Sequence, residues 1–168
     1  MSALLSGLAA VAQPDARLLI LGSMPGAKSL QQQQYYAHPR NAFWPIMANI
    51  LGFDPTLSYQ NKLQAMLARQ VALWDVIGYC QRQGSLDSAI SAEQPNDFTE
   101  FMQHHQQIAA IAFNGGKAWQ SFRRQVIGKQ QLPEGLQLIK LPSTSPAHAS
   151  LRFADKLQQW QKISCYLN

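Results

Sequence analysis

The stretch RLLILGSMPG (residues 17–26) runs four aliphatic residues into Gly22 and then breaks into a turn of small residues and proline. A short apolar run without alternation, closed by turn residues, is the pattern of a strand buried on both faces. Three more runs share it: VALWDV (71–76), IAAIAFNG (108–115) and LQLIKLP (136–142). Helical patterns lie between them. Strands alternating with helices predict a three-layer α/β/α sandwich with a mainly parallel central sheet of about four strands, in one domain over residues 1–168.

The helical segments carry their own signals. NAFWPIMANILG (41–52) sets Phe43, Met47, Ile50 and Leu51 on one face and stops at Gly52. SYQNKLQAMLARQ (58–70) spaces Leu63, Met66 and Leu67 at helical intervals. In DFTEFMQHHQQ (97–107), Asp97 reads as an N-cap with Glu100 three residues on. GKAWQSFRRQVIG (116–128) and LRFADKLQQWQKISCYL (151–167) complete the set. The opening MSALLSGLAAVAQ lacks the positive start of a secretory signal and reads as a first helix. Gln31–Gln34 reads as a solvated loop.

Fourteen Lys and Arg against nine Asp and Glu leave a net charge of +5 on 168 residues, which favours an anionic partner such as nucleic acid. Cys80 and Cys165 match neither a CxxC pair nor a metal spacing, so free thiols in a reducing cytoplasm are expected. No run reaches the ~18–20 apolar residues of a membrane span. His104 and His105 are adjacent and point about 100° apart on a helix, so they do not share a metal. No HExxH occurs, and no metal is expected.

In a parallel sheet, ligands bind beyond the carboxyl ends of the strands. Those ends are Gly22-Ser23-Met24-Pro25-Gly26, Trp74-Asp75, Asn114-Gly115-Gly116 and Pro142-Ser143-Thr144-Ser145-Pro146. The first is no Walker loop, since only three residues separate its glycines where that pattern has four, and Pro25 lacks an amide donor. GxGxxG is absent. A Ser–His hydrolase could be drawn from Ser143 or Ser145 with His148 and Asp75, but no GxSxG elbow supports it. What remains is a set of amides and aromatic rings. An Asn can hold a water against an electrophilic carbon, a ring can stack on a planar ligand, and Asn114 can hydrogen-bond the edge of a heterocycle. On a basic chain, these parts suit an enzyme that flips a base out of DNA.

The stretches GSMPG and YYAHPRNAFW, with LPSTSPAH towards the other end, resemble the uracil-DNA glycosylase superfamily, closest to its hypoxanthine-DNA (deoxyinosine) glycosylase branch. Members that activate water from the first motif place Asp or Asn two residues after its first glycine, where this chain has Met24. The resemblance therefore implies that Asn41 positions the water, although Asn is also an ordinary helix N-cap. It implies a base pocket from Gly22, Ser23, Met24, Pro25 and Gly26, with Tyr36 stacking on the base and His38 and Phe43 in the same run. Ser143, Thr144, Ser145 and Pro146 would grip backbone phosphate, His148 or Leu151 would wedge into the duplex, and Arg152 would meet a phosphate. The implied enzyme is a monomeric, cofactor-free, monofunctional glycosylase acting on double- or single-stranded DNA, with hypoxanthine favoured and uracil second. A nucleic-acid-binding module with a decayed site is the rival that Met24 makes credible. RQGSLDSAI (82–90) is also familiar from this branch, with no physical role evident for Asp87 or Ser88.

Overall fold

The computed structural model describes residues 4–167. Its central sheet holds β2 (Leu18–Gly22), β3 (Val71–Asp75), β6 (Ala110–Asn114) and β7 (Gln137–Leu141) in the order β3-β2-β6-β7. All three pairings are parallel, with Leu18 opposite Val71 on one side and Ala110 on the other. Every residue of β2 and β6 is buried, as expected of central strands covered on both faces.

Alternate side chains of the sheet feed two cores. Leu18, Ile20, Leu73 and Ala112 pack with Phe43, Ile46 and Met47 of α2 (Phe43–Leu51), Leu63 and Met66 of α3 (Tyr59–Ala68), and Trp160 of α6 (Phe153–Trp160). Leu19, Leu21, Ile111 and Phe113 pack with Phe98 and Phe101 of α4 (Phe98–His104) and Phe122 of α5 (Gly116–Gln125). The expected three layers are present. Two helix signals act as read: the Asp97 carboxylate accepts from Glu100 N, and Gly52 ends α2 in the left-handed region at φ 77°.

The first-helix reading of the N-terminus is corrected. Leu4–Ser6 form β1, and residues 1–3 lie outside the described part. β1 joins β4 (Ile77–Gln81) and β5 (Ser91–Pro95) in a second, antiparallel sheet of order β1-β4-β5. Gly7 N donates to Gly78 O, and a Cβ at Gly7 would sit 3.2 Å from Ile77 O, so the chain lies flat against β4 instead of coiling. The Gln31–Gln34 reading is corrected in part, because α1 (Ala27–Gln32) takes in its first two residues while leaving them exposed.

The connections set the position of the site. From β2 the chain moves to β3 on one side, and from β6 to β7 on the other, so a crevice opens beyond the carboxyl ends of β2 and β6. After β3 the chain stays close to that crevice: Val76 N donates to Gly22 O and Ile77 N to Ser23 O before β4 enters the second sheet.

Candidate active site

A cavity of about 780 Å³ opens in this crevice, walled by all four strand ends. It gathers the turn Gly22–Gly26, then Tyr36, His38 and Asn41, then Asn114, and finally Ser143, Thr144, Ser145 and His148. Phe43 and Arg152 are not on its wall. Phe43 is fully buried behind Tyr36, and the exposed Arg152 reaches Asp155 at 3.4 Å.

The first turn is clasped by the segment 82–90, whose role the sequence left unexplained. Arg82 donates from Nη2 to Pro25 O at 2.6 Å, Ala27 N donates to Ser85 Oγ at 2.8 Å, and Ser23 Oγ donates to Asp87 Oδ1 at 2.7 Å. Met24 is buried and packs with Ile77 and Cys80 under the second sheet. An apolar residue suits that place, because the side chain at position 24 roots the turn. Leu86, 57% exposed on the cavity rim, is a large apolar side chain that no periodicity singled out.

Tyr36 sits in the left-handed region at φ 56°, costly for a ring-bearing residue unless its surroundings hold it there. Its neighbours are pinned on both sides. Tyr35 N donates to Tyr59 Oη, Trp44 Nε1 donates to Tyr35 O, and Ala37 N donates to Ser29 Oγ. The Tyr36 ring stacks on Phe43 with centroids 4.0 Å apart and planes at 22°, so one face is covered. Its hydroxyl is buried without a hydrogen-bond partner. Burial and the nearby Asp75 hold that phenol well above the usual tyrosine range; the Asn114 amide faces the hydroxyl and pulls the other way, without closing a hydrogen bond of ordinary geometry.

Asn41 closes a turn by donating from its backbone to His38 O, and its Oδ1 accepts Phe43 N at 2.9 Å at the start of α2. The capping use of Asn41 is therefore real, and it fixes the rotamer. An amide oxygen has two lone pairs, so Phe43 leaves one for a water. His38 Nδ1 accepts Arg40 N at 3.1 Å, which places the proton of the neutral ring on Nε2.

Asn114 faces the other loop. Its Oδ1 accepts Thr144 N and its Nδ2 donates to Thr144 Oγ1, both at 2.9 Å, leaving one amide hydrogen for anything else. Thr144 O in turn accepts Ala42 N at 3.0 Å. Thr144 thus bolts the end of β6 to the residue after Asn41. Gly115, at φ 96°, lets the strand end lie against this loop, since a Cβ there would sit 3.0 Å from Ser143 Cβ. From α6, Trp160 Nε1 donates to Pro142 O at 3.0 Å and the buried Lys156 reaches Ser145 O at 3.4 Å. Ser143 Oγ and Ser145 Oγ each accept a backbone amide and keep their own hydrogen to donate. Neither hydroxyl bonds a histidine. The Ser–His approach here is Ser150 to His148 at 3.5 Å on the surface, so the parts of a hydrolase triad do not meet.

Asp75, at the end of β3, is 4% exposed, and its Oδ2 has no partner. Burial first, then the neighbouring Asp87, push its carboxyl up to about 7 against the opposing pull of Arg82. Among the described residues no three His, Cys, Asp or Glu are grouped as metal ligands. No helix among them is long and apolar enough to cross a membrane.

A family model described as the uracil DNA glycosylase superfamily matches residues 9–165. The chain belongs to that superfamily. Similar curated proteins include a hypoxanthine DNA glycosylase of Methanosarcina acetivorans, 33% identical over 159 residues and covering 94% of this chain and 96% of that protein. Another, from Methanosarcina barkeri, carries the same name and is 36% identical over 113 residues, covering 67% of this chain and 72% of that protein. The solution NMR structure of a Methanosarcina acetivorans protein proposed as a uracil DNA glycosylase superposes with a TM-score of 0.82 at 30% identity, covering 96% of this chain and 97% of that one. The family expected from GSMPG and YYAHPRNAFW is the one found, and the expected class, a DNA glycosylase of the hypoxanthine branch, agrees with the names of both curated relatives.

Proposed function

We propose that this chain is a monofunctional DNA glycosylase that hydrolyses the N-glycosidic bond of hypoxanthine flipped out of DNA, leaving an abasic site. The observation that carries the reading is the single cavity in which Asn41, the Gly22–Gly26 turn and the Ser143–Pro146 loop meet, locked together through Thr144. At about 780 Å³, it has room for a bicyclic base with part of its sugar.

Asn41 Oδ1 holds a water by its free lone pair and aims the water's oxygen at C1′ of the flipped nucleotide. The bond from C1′ to the base nitrogen breaks, its electron pair leaves with the base, and the water oxygen takes its place on C1′. One water proton ends on the departing base and the other stays on the new sugar hydroxyl. Positive character on the sugar is stabilised by the flanking phosphates, which the Ser143 and Ser145 hydroxyls grip by donating to them. His148, on the cavity wall, meets the DNA backbone beside them. Met24 takes no chemical part, which is why the amide of the second segment must.

Incubation with duplexes carrying hypoxanthine or uracil, followed by alkaline cleavage of abasic sites, tests this. Strand breaks at hypoxanthine are expected, with uracil cut less well. Absence of breaks at either base overturns the glycosylase reading, and a preference for uracil overturns the choice of substrate.

A further inference from the structure

Two buried polar atoms on the cavity floor have no partner in the protein: Tyr36 Oη and Asp75 Oδ2. They belong to side chains that converge on one spot. A Cβ built at Gly22 would lie 2.5 Å from Asp75 Oδ1 and 2.9 Å from Tyr36 Oη, so the central strand ends in a glycine where both groups need the space. Leaving a buried donor or acceptor unmet costs about 1–3 kcal/mol, and two beside each other call for an occupant.

The carboxyl has no hydrogen-bonding partner or ion pair inside. The Arg82 guanidinium nearby favours its charge but donates to Pro25 O and leaves Nε and Nη1 buried and unpaired, and the ion pairs among the described residues join Lys117 to Glu93 and Arg152 to Asp155. Nor is Asp75 tied to the rest of the site as Asn114 is to Thr144.

We propose that Asp75 and Tyr36 together read the lactam edge of the flipped base, the carboxylate accepting its ring N–H and the phenol donating to its carbonyl oxygen. This rests on the glycosylase reading and deepens it. Deamination of adenine replaces a bare ring nitrogen and an amino group with a ring N–H and a carbonyl, which reverses the hydrogen-bond polarity of that edge. An acceptor beside a donor fits the deaminated edge and opposes the intact one, because adenine turns a ring lone pair towards the carboxylate. Guanine shares the lactam edge, so this pair separates hypoxanthine from adenine and not from guanine. Tyr36 is assigned here by its hydroxyl, in place of the stacking plate that the resemblance implied.

The ionisation behaviour supports the pairing. Tyr36 is held well above the usual tyrosine range by burial and by Asp75, so it stays a donor. Asp75 faces Asp87 and Arg82, as well as the Tyr35 and Tyr36 phenols whose ionisation it opposes, and it loses its proton only near pH 7. Below that pH the neutral acid can donate to the bare nitrogen of adenine, and discrimination weakens. Above it the carboxylate only accepts.

The test is binding to duplexes carrying 2′-fluorinated deoxyinosine or deoxyadenosine, which resist cleavage, followed by fluorescence anisotropy. The protein should prefer the inosine duplex by about tenfold or more, the worth of one charge-assisted hydrogen bond. The gap should widen from pH 6 to pH 8. Asp75→Asn, whose amide can turn either group to the base, should bring the gap within about threefold and flatten its pH dependence. Tyr36→Phe, which keeps the ring, should lose part of the preference. A 1-methylhypoxanthine duplex, lacking the ring N–H, should bind the unaltered protein no better than the adenine duplex, and this arm needs no variant to fold. Retention of the full preference by both variants, or tight binding of 1-methylhypoxanthine, overturns the proposal. If the protein also cuts hypoxanthine, the glycosylase reading survives that failure. Failure to cut any lesion overturns the glycosylase reading instead.

Discussion

The floor and the rim of the cavity are built on opposite principles. On the rim, Asn114, Thr144, Pro142 and Ser145 are satisfied by one another or by Trp160 and Lys156 of α6. On the floor, Tyr36 Oη and Asp75 Oδ2 are buried and unmet. Internal hydrogen bonds hold a loop in place, whereas unmet ones lower the stability of the empty protein and are available to a ligand. The rim is thus braced and the floor is left open to a ligand, which is the division the proposed recognition by Asp75 and Tyr36 requires, with Asn41 between them, capping α2 and still carrying a free lone pair.

Substitutions can break or sharpen that contrast. Asn41→Ala should have the largest effect, lowering the single-turnover excision rate about 10²-fold, as misplacing a reacting group does. An unchanged rate would remove Asn41 from the chemistry and leave it a cap. Thr144→Val comes next. Stranding the Asn114 amide should lower stability by about 1–3 kcal/mol in urea unfolding, and excision should fall with it because Ala42 is tied to the same residue.

On the floor the sign reverses. Asp75→Asn should raise stability by about 1–2 kcal/mol at pH 8 while weakening inosine recognition. The folded carboxyl binds its proton up to about pH 7 and the unfolded one only to about 3.8, so the unaltered protein loses stability as pH rises between those values. The variant lacks that loss, and its advantage should grow across the window and level off above it. The smallest change is expected for Tyr36→Phe, which should raise stability by up to about 1 kcal/mol because the buried hydroxyl removed had no partner. A marked loss of stability there would show that the phenol is anchored internally and that the floor is no different from the rim.

The four central strands were legible in the sequence because each is apolar throughout and ends in turn residues. The second sheet was not. β5 is SAEQP, largely exposed and without alternation, and β1 is three residues of a run that reads equally well as helix. Their strand state comes from pairing with β4, which no local pattern records. The same divide runs through the site. Asn41, Tyr36 and the Ser143–Pro146 loop, singled out by their motifs, line one cavity. That Asn114 spends most of its amide on Thr144, that Tyr36 offers its hydroxyl inward, and that Asp75 belongs beside it are matters of three-dimensional approach. The segment 82–90 carries no local sign of its role because its partners, Pro25, Ala27 and Ser23, lie in the turn after β2, far away in sequence.

The hydrogen bond from Ala42 to Thr144 joins one of the earliest parts of the site to one of the latest. A growing chain that already holds the whole of YYAHPRNAFW lacks the loop that aligns it until β7 has been made and docked beside β6. The segment that carries Asn41 therefore gains this brace only once residue 144 has been added, late in synthesis.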